Sequence, residues 1–168
     1  KGFGNGYPIS GVATREELAR AEPWGKPSGN SSSYGGNALA CAAAEATLRV
    51  LRDERLDAHA AQLGQFMLDR LRQIAGHAPI IGEVRGRGLL LGVELVRDRA
   101  TKEPLSREAM RRIFTQLLAQ GLLVMPSGSA LRINPPLVLS YEGASSGLQI
   151  LERVLSNAHL DLAGAIQR

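Results

Sequence analysis

The sequence contains few aromatic residues, one cysteine and no long hydrophobic run. Aromatic residues make up 4% of the 168 positions, too few for the stacking platform on which single-stranded nucleic acid binds. No apolar run approaches the ~20 residues that a membrane-spanning helix needs. These absences argue against nucleic acid and membrane lipid as partners.

The single cysteine, Cys41, excludes an internal disulfide. It lies in "ALACAAAEA", where small residues favour close packing. We therefore predict an inert, buried thiol. A chain without disulfides fits a reducing compartment, and we expect the cytoplasm.

The sequence also lacks patterns typical of a metal site or a hydrolase. Its three histidines, His59, His77 and His159, lie far apart and share no metal-ligand spacing. No serine stands in a GxSxG motif, so nothing indicates a Ser-His-Asp triad. We predict that all three histidines are structural or surface residues and that no metal is bound.

The overall composition is typical of a globular protein. Hydrophobic residues make up 44% of the chain and charged residues 21%, with a net charge of +4. The basic residues are dispersed along the sequence, so no concentrated basic patch is predicted. The length suits one domain, or one domain and part of another.

Helical patterns recur along the chain. "REELARAE" indicates a short polar helix, and Asn37 is a suitable N-cap for a long helix through "ALACAAAEATLRVLRDE". Another helix is predicted in "LDAHAAQLGQFMLDRLRQIA", ended by Gly76 and Pro79, with an apolar stripe. Its members are Leu63, Phe66, Met67, Leu71 and Ile74. Further helices are predicted from Ser106, as N-cap, to Gly121 and over about 141–158.

Strand patterns lie between these helices. "YPISGVAT", "IIGEVRGRGLLLGVELV", "LLVMP" and "ALRINPP" indicate extended chain. The second of these alternates, with Leu89, Leu91, Val93 and Leu95 on one face. Strands alternating with helices predict an α/β architecture. We place a domain boundary between Asp53 and Glu54, which separates 1–53 from 54–168.

Three stretches carry candidate site residues. Lys1 precedes the glycine-rich "GFGNG"; it is either a solvated surface charge or an amine that forms a Schiff base with a carbonyl cofactor. "SGNSSSYGGN" places hydroxyl groups before a helix N-terminus; it is either a capping loop or an anion site that suits phosphate. Arg132 stands in an apolar strand before two prolines; it either pairs with an acid such as Glu142 or binds a ligand carboxylate.

Four motifs in this order resemble the C-terminal part of class III pyridoxal-phosphate aminotransferases, the ornithine/4-aminobutyrate type of fold type I. They are "KGFGNGYPISGV", "SSSYGGNALACAAA", "VRGRGLLLGVELV" and "LRINPPL". Together they cover nearly the whole chain. The resemblance implies a cofactor, pyridoxal 5'-phosphate, and transfer of an amino group from an amine or amino acid to a 2-oxo acid.

The resemblance also implies individual roles. Lys1 would carry the cofactor as a Schiff base and act as general base. Ser33, with Ser32 beside it, would contact the cofactor phosphate of the neighbouring subunit in a homodimer with a shared active site. Arg132 would hold a substrate carboxylate. Residues 1–53 would be the end of the large cofactor-binding domain, and 54–168 the small C-terminal domain.

The sequence departs from the family pattern in places. Serine stands at position 33 where threonine is common, Asn30 where histidine is frequent, and Ala38 where proline is frequent. Counterparts of the family's first phosphate loop, its ring-stacking aromatic residue and its pyridine-pairing aspartate find no place here. We therefore expect a C-terminal fragment that is inactive by itself.

The resemblance leaves the exact reaction open. The stretch "RGRGLLLGVELVRDRATKEP" is very similar to its counterpart in dialkylglycine decarboxylase, so a decarboxylating transaminase is one alternative. An aminomutase is another. An alternative of a different class is a non-catalytic folding or dimerisation fragment.

Overall fold

The structure, a computed structural model, describes residues 2–29 and 31–164, the stretch 159–164 by its backbone only. The chain divides into two compact units, Lys1–Arg55 and Leu56–Arg168.

The first unit contains two helices, α1 (Glu16–Ala19) and α2 (Ala38–Asp53). Asn37 caps α2 as predicted, since its side chain accepts a hydrogen bond from the backbone N–H of Ala40 at 3.1 Å. Apolar side chains of this unit are exposed: Val12 at 88%, Leu39 at 61% and Leu48 at 52%.

Two sequence predictions about this unit are wrong. "YPISGVAT" is irregular rather than a strand, because no described strand lies beside it to satisfy its backbone groups. Cys41 is exposed rather than buried. The buried positions of α2 are Ala40 and Ala44, four residues apart, whereas Cys41 is turned about 100° from Ala40 around the helix axis.

The second unit is an α/β domain, as predicted, built on an antiparallel sheet. Its helices are α3 (Leu56–His77), α4 (Arg107–Ala119) and α5 (Tyr141–Gly164). Its strands are β1 (Ile81–Arg87), β2 (Leu90–Asp98), β3 (Glu103–Pro104), β4 (Met125–Ser127) and β5 (Ala130–Ile133). The sheet order is β1-β2-β5-β4, and β3 pairs with β2 beside this path.

The core of this unit lies between one face of the sheet and the helices. The alternation in β2 is confirmed, since Leu91, Val93 and Leu95 are all buried. Ser106 caps α4 as predicted. The apolar stripe of α3 is buried except for Phe66, which is 38% exposed and packs edge-on against Tyr141 at a centroid distance of 5.3 Å.

The structure adds β3 to the predicted elements. "RDRATKEP" is a turn, as expected, but its end pairs with β2 through Val96 and Pro104. Helix α3 ends at His77, between Gly76 and Pro79, the two residues that were predicted to end it.

Candidate active site

The glycines that follow Lys1 form a tight turn. The backbone N–H of Tyr7 donates to the carbonyl of Gly4 at 3.1 Å. A Cβ atom at Gly4 would lie 2.4 Å from the Tyr7 carbonyl oxygen, and Gly6 has a φ of +112°, which side chains disfavour. Both positions therefore require glycine. Lys1 itself lies outside the described residues, so its role stays a prediction.

The serine loop before α2 is a pair of linked turns. The Ser32 carbonyl accepts from the N–H of Gly35 at 3.0 Å, and the Ser32 hydroxyl oxygen accepts from the N–H of Tyr34 at 3.2 Å. Gly36 has a φ of +71°, so the chain reverses here and leads into Asn37.

The donors of this loop fit a phosphate group. The Ser33 side chain is exposed, and within the described part of the chain its hydroxyl makes no hydrogen bond. The Ser32 hydroxyl uses only its acceptor side, so its proton is also available. Both stand before a 16-residue helix, whose N-terminus favours an anion.

Arg132 lies on β5, between β2 and β4. Its neighbours Leu131 and Ile133 are buried, while Arg132 is exposed. Since side chains alternate along a strand, its side chain lies on the outer face of the sheet, away from the core. The ion pair with Glu142 considered above does not form, and Arg132 makes no hydrogen bond or ion pair with any described residue.

A cleft of about 400 Å³ opens beside this strand. It is apolar, and its lining includes Arg132, Met125, Pro135, Pro136 and Leu139. Cofactor and substrate sites commonly combine an apolar wall with a few polar groups.

The segment that follows Arg132 is held from α3. The Nε2–H group of His59 donates to the carbonyl of Leu139 at 2.9 Å, and the N–H of Leu139 donates to the carbonyl of Pro136 at 3.0 Å. His59 is thus structural, as predicted. Its partner, 80 residues away, had no signal in the sequence.

A second arginine, Arg85 on β1, lies near Arg132 on the sheet but is neutralised. Its Nη1 atom lies 2.7 Å from Glu94 and 3.4 Å from Glu83. The hydrogen bond that Arg85 donates to Glu94, with the charges of Glu83 and Glu94, raises the pKa of Arg85 above its ordinary value. Arg132 is therefore the arginine of this pair that is free to bind an anion.

Of the other two histidines, one forms a contact at the end of α3. His77 lies 3.0 Å from Glu152, which also pairs with Arg70, so it has the structural role predicted for it. The side chain of His159 lies outside the described residues.

Across the described ranges, no three histidine, cysteine, aspartate or glutamate side chains are grouped to hold a metal ion. None of the helices described combines the length and apolar character that a membrane crossing requires.

The candidate residues are divided between the two units. Ser32 and Ser33 belong to the first unit and Arg132 to the second. The structure thus gives the local geometry of a phosphate-type loop and of an arginine on a sheet that has no partner in the described part of the chain, each within its own unit.

Comparison with known proteins identifies the family. The profile of the family described as aminotransferase class-III matches residues 1–155. The chain belongs to the class III aminotransferase family, which confirms the resemblance seen in the four motifs.

Individual relatives agree with this assignment. The chain is 37% identical over 159 residues to ethanolamine-phosphate phospho-lyase homolog 1 of Caenorhabditis elegans, covering 93% of this chain and 34% of the relative. It is 35% identical to acetylornithine aminotransferase of Methanothermobacter thermautotrophicus, covering 94% of this chain and 37% of the relative. The chain therefore spans about a third of the length of these curated relatives.

A solved structure shows the same fold. An amine transaminase from an uncultivated Pseudomonas species, in its PLP-bound form, matches with a TM-score of 0.73 and 33% identity. The match covers 77% of this chain and 30% of the transaminase.

Proposed function

We propose that the protein is a pyridoxal-phosphate-dependent aminotransferase that moves an amino group from an amine or amino acid to a 2-oxo acid. The observation that carries this proposal is Arg132, an exposed guanidinium without a partner among the described residues, in a chain of the class III family. A planar guanidinium binds a carboxylate through two parallel hydrogen bonds, and amino and oxo acids both carry a carboxylate.

The first unit supplies the groups that would hold the cofactor. Ser32 and Ser33 would donate their hydroxyl protons to its phosphate, and the N-terminus of α2 would stabilise the negative charge. When bound, pyridoxal phosphate supplies a carbonyl for the amine and an electron sink for the bond that breaks. Lys1 would hold the cofactor covalently at rest and, once released, would move the proton at the substrate Cα atom.

The second unit would orient the substrate. Arg132 would fix one carboxylate, which sets the direction of the Cα bonds relative to the cofactor. The apolar cleft beside it offers a wall against which the apolar part of a substrate could pack.

Larger-scale features belong to the same proposal. We assign 1–53 to the end of a large cofactor-binding domain and 54–168 to the small C-terminal domain. We further propose a homodimer, in which Ser32 and Ser33 serve the neighbouring subunit's cofactor, and a cytoplasmic location. The domain assignment and the homodimer are based on the family resemblance, and the cytoplasmic location is based on the cysteine content.

The test uses the protein as its gene encodes it. Borohydride reduction followed by peptide mass analysis locates a covalently held cofactor, and we expect the added mass on Lys1. Lys1→Ala should lose both this mass and turnover. Turnover at the wild-type rate in Lys1→Ala would contradict the role of Lys1.

Arg132→Lys tests the carboxylate site. Loss of a charge-assisted pair costs about 1.5–3 kcal/mol, so kcat/KM for carboxylate substrates should fall by about 10- to 100-fold. Amines without a carboxylate should be nearly unaffected. Equal losses for both substrate types would show that Arg132 is structural.

Product analysis separates aminotransfer from the alternative reactions. Carbon dioxide release would indicate a decarboxylating transaminase, and retention of the amino group within one molecule would indicate an aminomutase. Absence of cofactor binding and turnover in the gene-encoded protein would favour a non-catalytic folding or dimerisation role.

A further inference from the structure

The outer face of the sheet carries one row of residues that includes Arg132. In the strand pairing, Arg132 lies opposite Gly92 on β2 and Met125 on β4, and Gly92 lies opposite Arg85 on β1. Because the residues on either side of Gly92, Leu91 and Val93, point into the core, position 92 faces outward with the others.

Gly92 leaves a gap in this row. Neither the packing nor the backbone conformation of the sheet requires a glycine at this position. A Cβ atom built there would have Arg85 Cγ at 3.9 Å and the Arg85 carbonyl oxygen at 4.0 Å as its nearest neighbours, which is ordinary van der Waals contact. Gly92 also has no left-handed φ. Since glycine weakens a strand interior, a side chain at this position would suit the sheet better.

The gap lies directly beside the free arginine. Directly opposed residues on antiparallel strands have Cβ atoms about 4.5–5.5 Å apart, so a side chain at 92 would stand beside Arg132, although its Cβ atom alone would have no atom of Arg132 within 4 Å. On the other side of Arg132, the side chain of Met125 is 57% exposed. The charge of Arg85 is already held by Glu83 and Glu94, which leaves Arg132 to receive a carboxylate.

We propose that Gly92 is a specificity-determining residue of the carboxylate site. Its missing side chain keeps the surface beside Arg132 open, so that a substrate carboxylate and the carbon next to it can lie against the sheet. Met125 supplies the apolar border on the opposite side. This inference rests on the proposed function, since it identifies the surface beside Arg132 on which the substrate carboxylate would bind.

The test compares Gly92→Ala and Gly92→Val with Arg132→Lys, all in the protein as its gene encodes it. One methyl group in a fitted site changes discrimination by about tenfold or more. We therefore expect KM for carboxylate substrates to rise about tenfold in Gly92→Ala and further in Gly92→Val. We expect kcat for these substrates, and both constants for amines without a carboxylate, to stay within about twofold. The melting temperature of Gly92→Ala should stay the same or rise.

A matched control is Gly76→Ala on α3, where a Cβ atom would have nothing within 4 Å; it should leave all kinetic constants unchanged. If Arg132→Lys weakens carboxylate substrates and Gly92→Ala does not, the inference is overturned while the proposed function stands. An equal KM rise for amines without a carboxylate overturns it as well. If neither variant affects carboxylate substrates, the carboxylate role of Arg132 and the role of Gly92 both fail.

Discussion

Gly64, within α3, lies directly against Gly88, in the turn between β1 and β2. A Cβ atom at Gly64 would stand 2.1 Å from the carbonyl oxygen of Gly88 and 2.3 Å from its carbonyl carbon. These are backbone atoms, which cannot rotate away as a side chain can. The helix and the hairpin turn can approach this closely only because position 64 has no side chain.

Because of this contact, replacing the helical Gly64 by alanine should destabilise the protein, whereas the same change in a helix is ordinarily neutral or stabilising. Gly64→Ala should lower the free energy of unfolding by about 1–3 kcal/mol or more, because overpacking forces the backbone apart. Gly76→Ala, in the same helix with open space around it, should be neutral or stabilise by up to about 1 kcal/mol. Denaturant unfolding measures both, and similar values for the two variants would refute the contact.

The side chain of Arg99 stabilises the C-terminal end of α3 through hydrogen bonds to backbone carbonyls. Its guanidinium donates to the carbonyls of Ile81 at 2.7 Å and Ala78 at 3.0 Å, and also to that of Ala75. Carbonyls at a helix C-terminus lack helical partners and favour a cation. Arg99→Ala should therefore cost about 1.5–3 kcal/mol of unfolding free energy.

Arg97 provides the matched control for Arg99. It pairs with Glu103 at 3.1 Å, with both side chains more than half exposed. Exposed pairs contribute about 0–1 kcal/mol, so Arg97→Ala should cost less than Arg99→Ala in the same denaturation measurement. Equal costs would mean that the Arg99 hydrogen bonds do not stabilise the end of α3.

Asp98, the last residue of β2, gives the stability of the protein a pH dependence. Backbone N–H groups of Thr101 and Ala100 donate to its carboxylate at 3.0 and 2.6 Å, and they lower the pKa of Asp98 below its ordinary value. A lowered folded-state pKa contributes stability above the ordinary aspartate pKa of about 3.9, and this contribution is lost as the pH falls through the folded-state value.

Asp98→Asn should consequently be less stable than the wild type at neutral pH, and the difference should shrink in acid. Unfolding curves recorded at several pH values from neutral down to about 2 measure this, since protonation of the carboxylate removes its contribution as the pH falls. A difference between the two proteins that stays constant with pH would contradict the prediction.

Hydrogen exchange on the 168-residue chain should separate the two units. The first unit buries few side chains, among them Ala40 and Ala44, and isolated helices without a packed face open readily. The second unit has a continuous apolar core. We expect fast amide exchange before Glu54 and slow exchange in the helices and central strands after it. Uniform protection along the chain would contradict this.

The sequence by itself determined the features that depend on neighbours a few residues apart. Asn37 and Ser106 cap their helices through the N–H three residues ahead, and the alternation along β2 follows from the two-residue period of a strand. The four motifs indicated the family and, through it, the candidate residues Lys1, Ser32, Ser33 and Arg132. Each cap, each alternation and each motif is defined by residues close together in the sequence, so each can be recognised without a structure.

Tertiary structure decided what depends on residues far apart in the chain. The sequence could not show that "YPISGVAT" has no described strand to pair with, nor that Cys41 turns to solvent. Nor could it show that Arg132 stands opposite a glycine, without a partner among the residues that the structure describes. A side chain's partners are set by the register of strands and the approach of helices, and these form only when segments as distant as His59 and Leu139 come together.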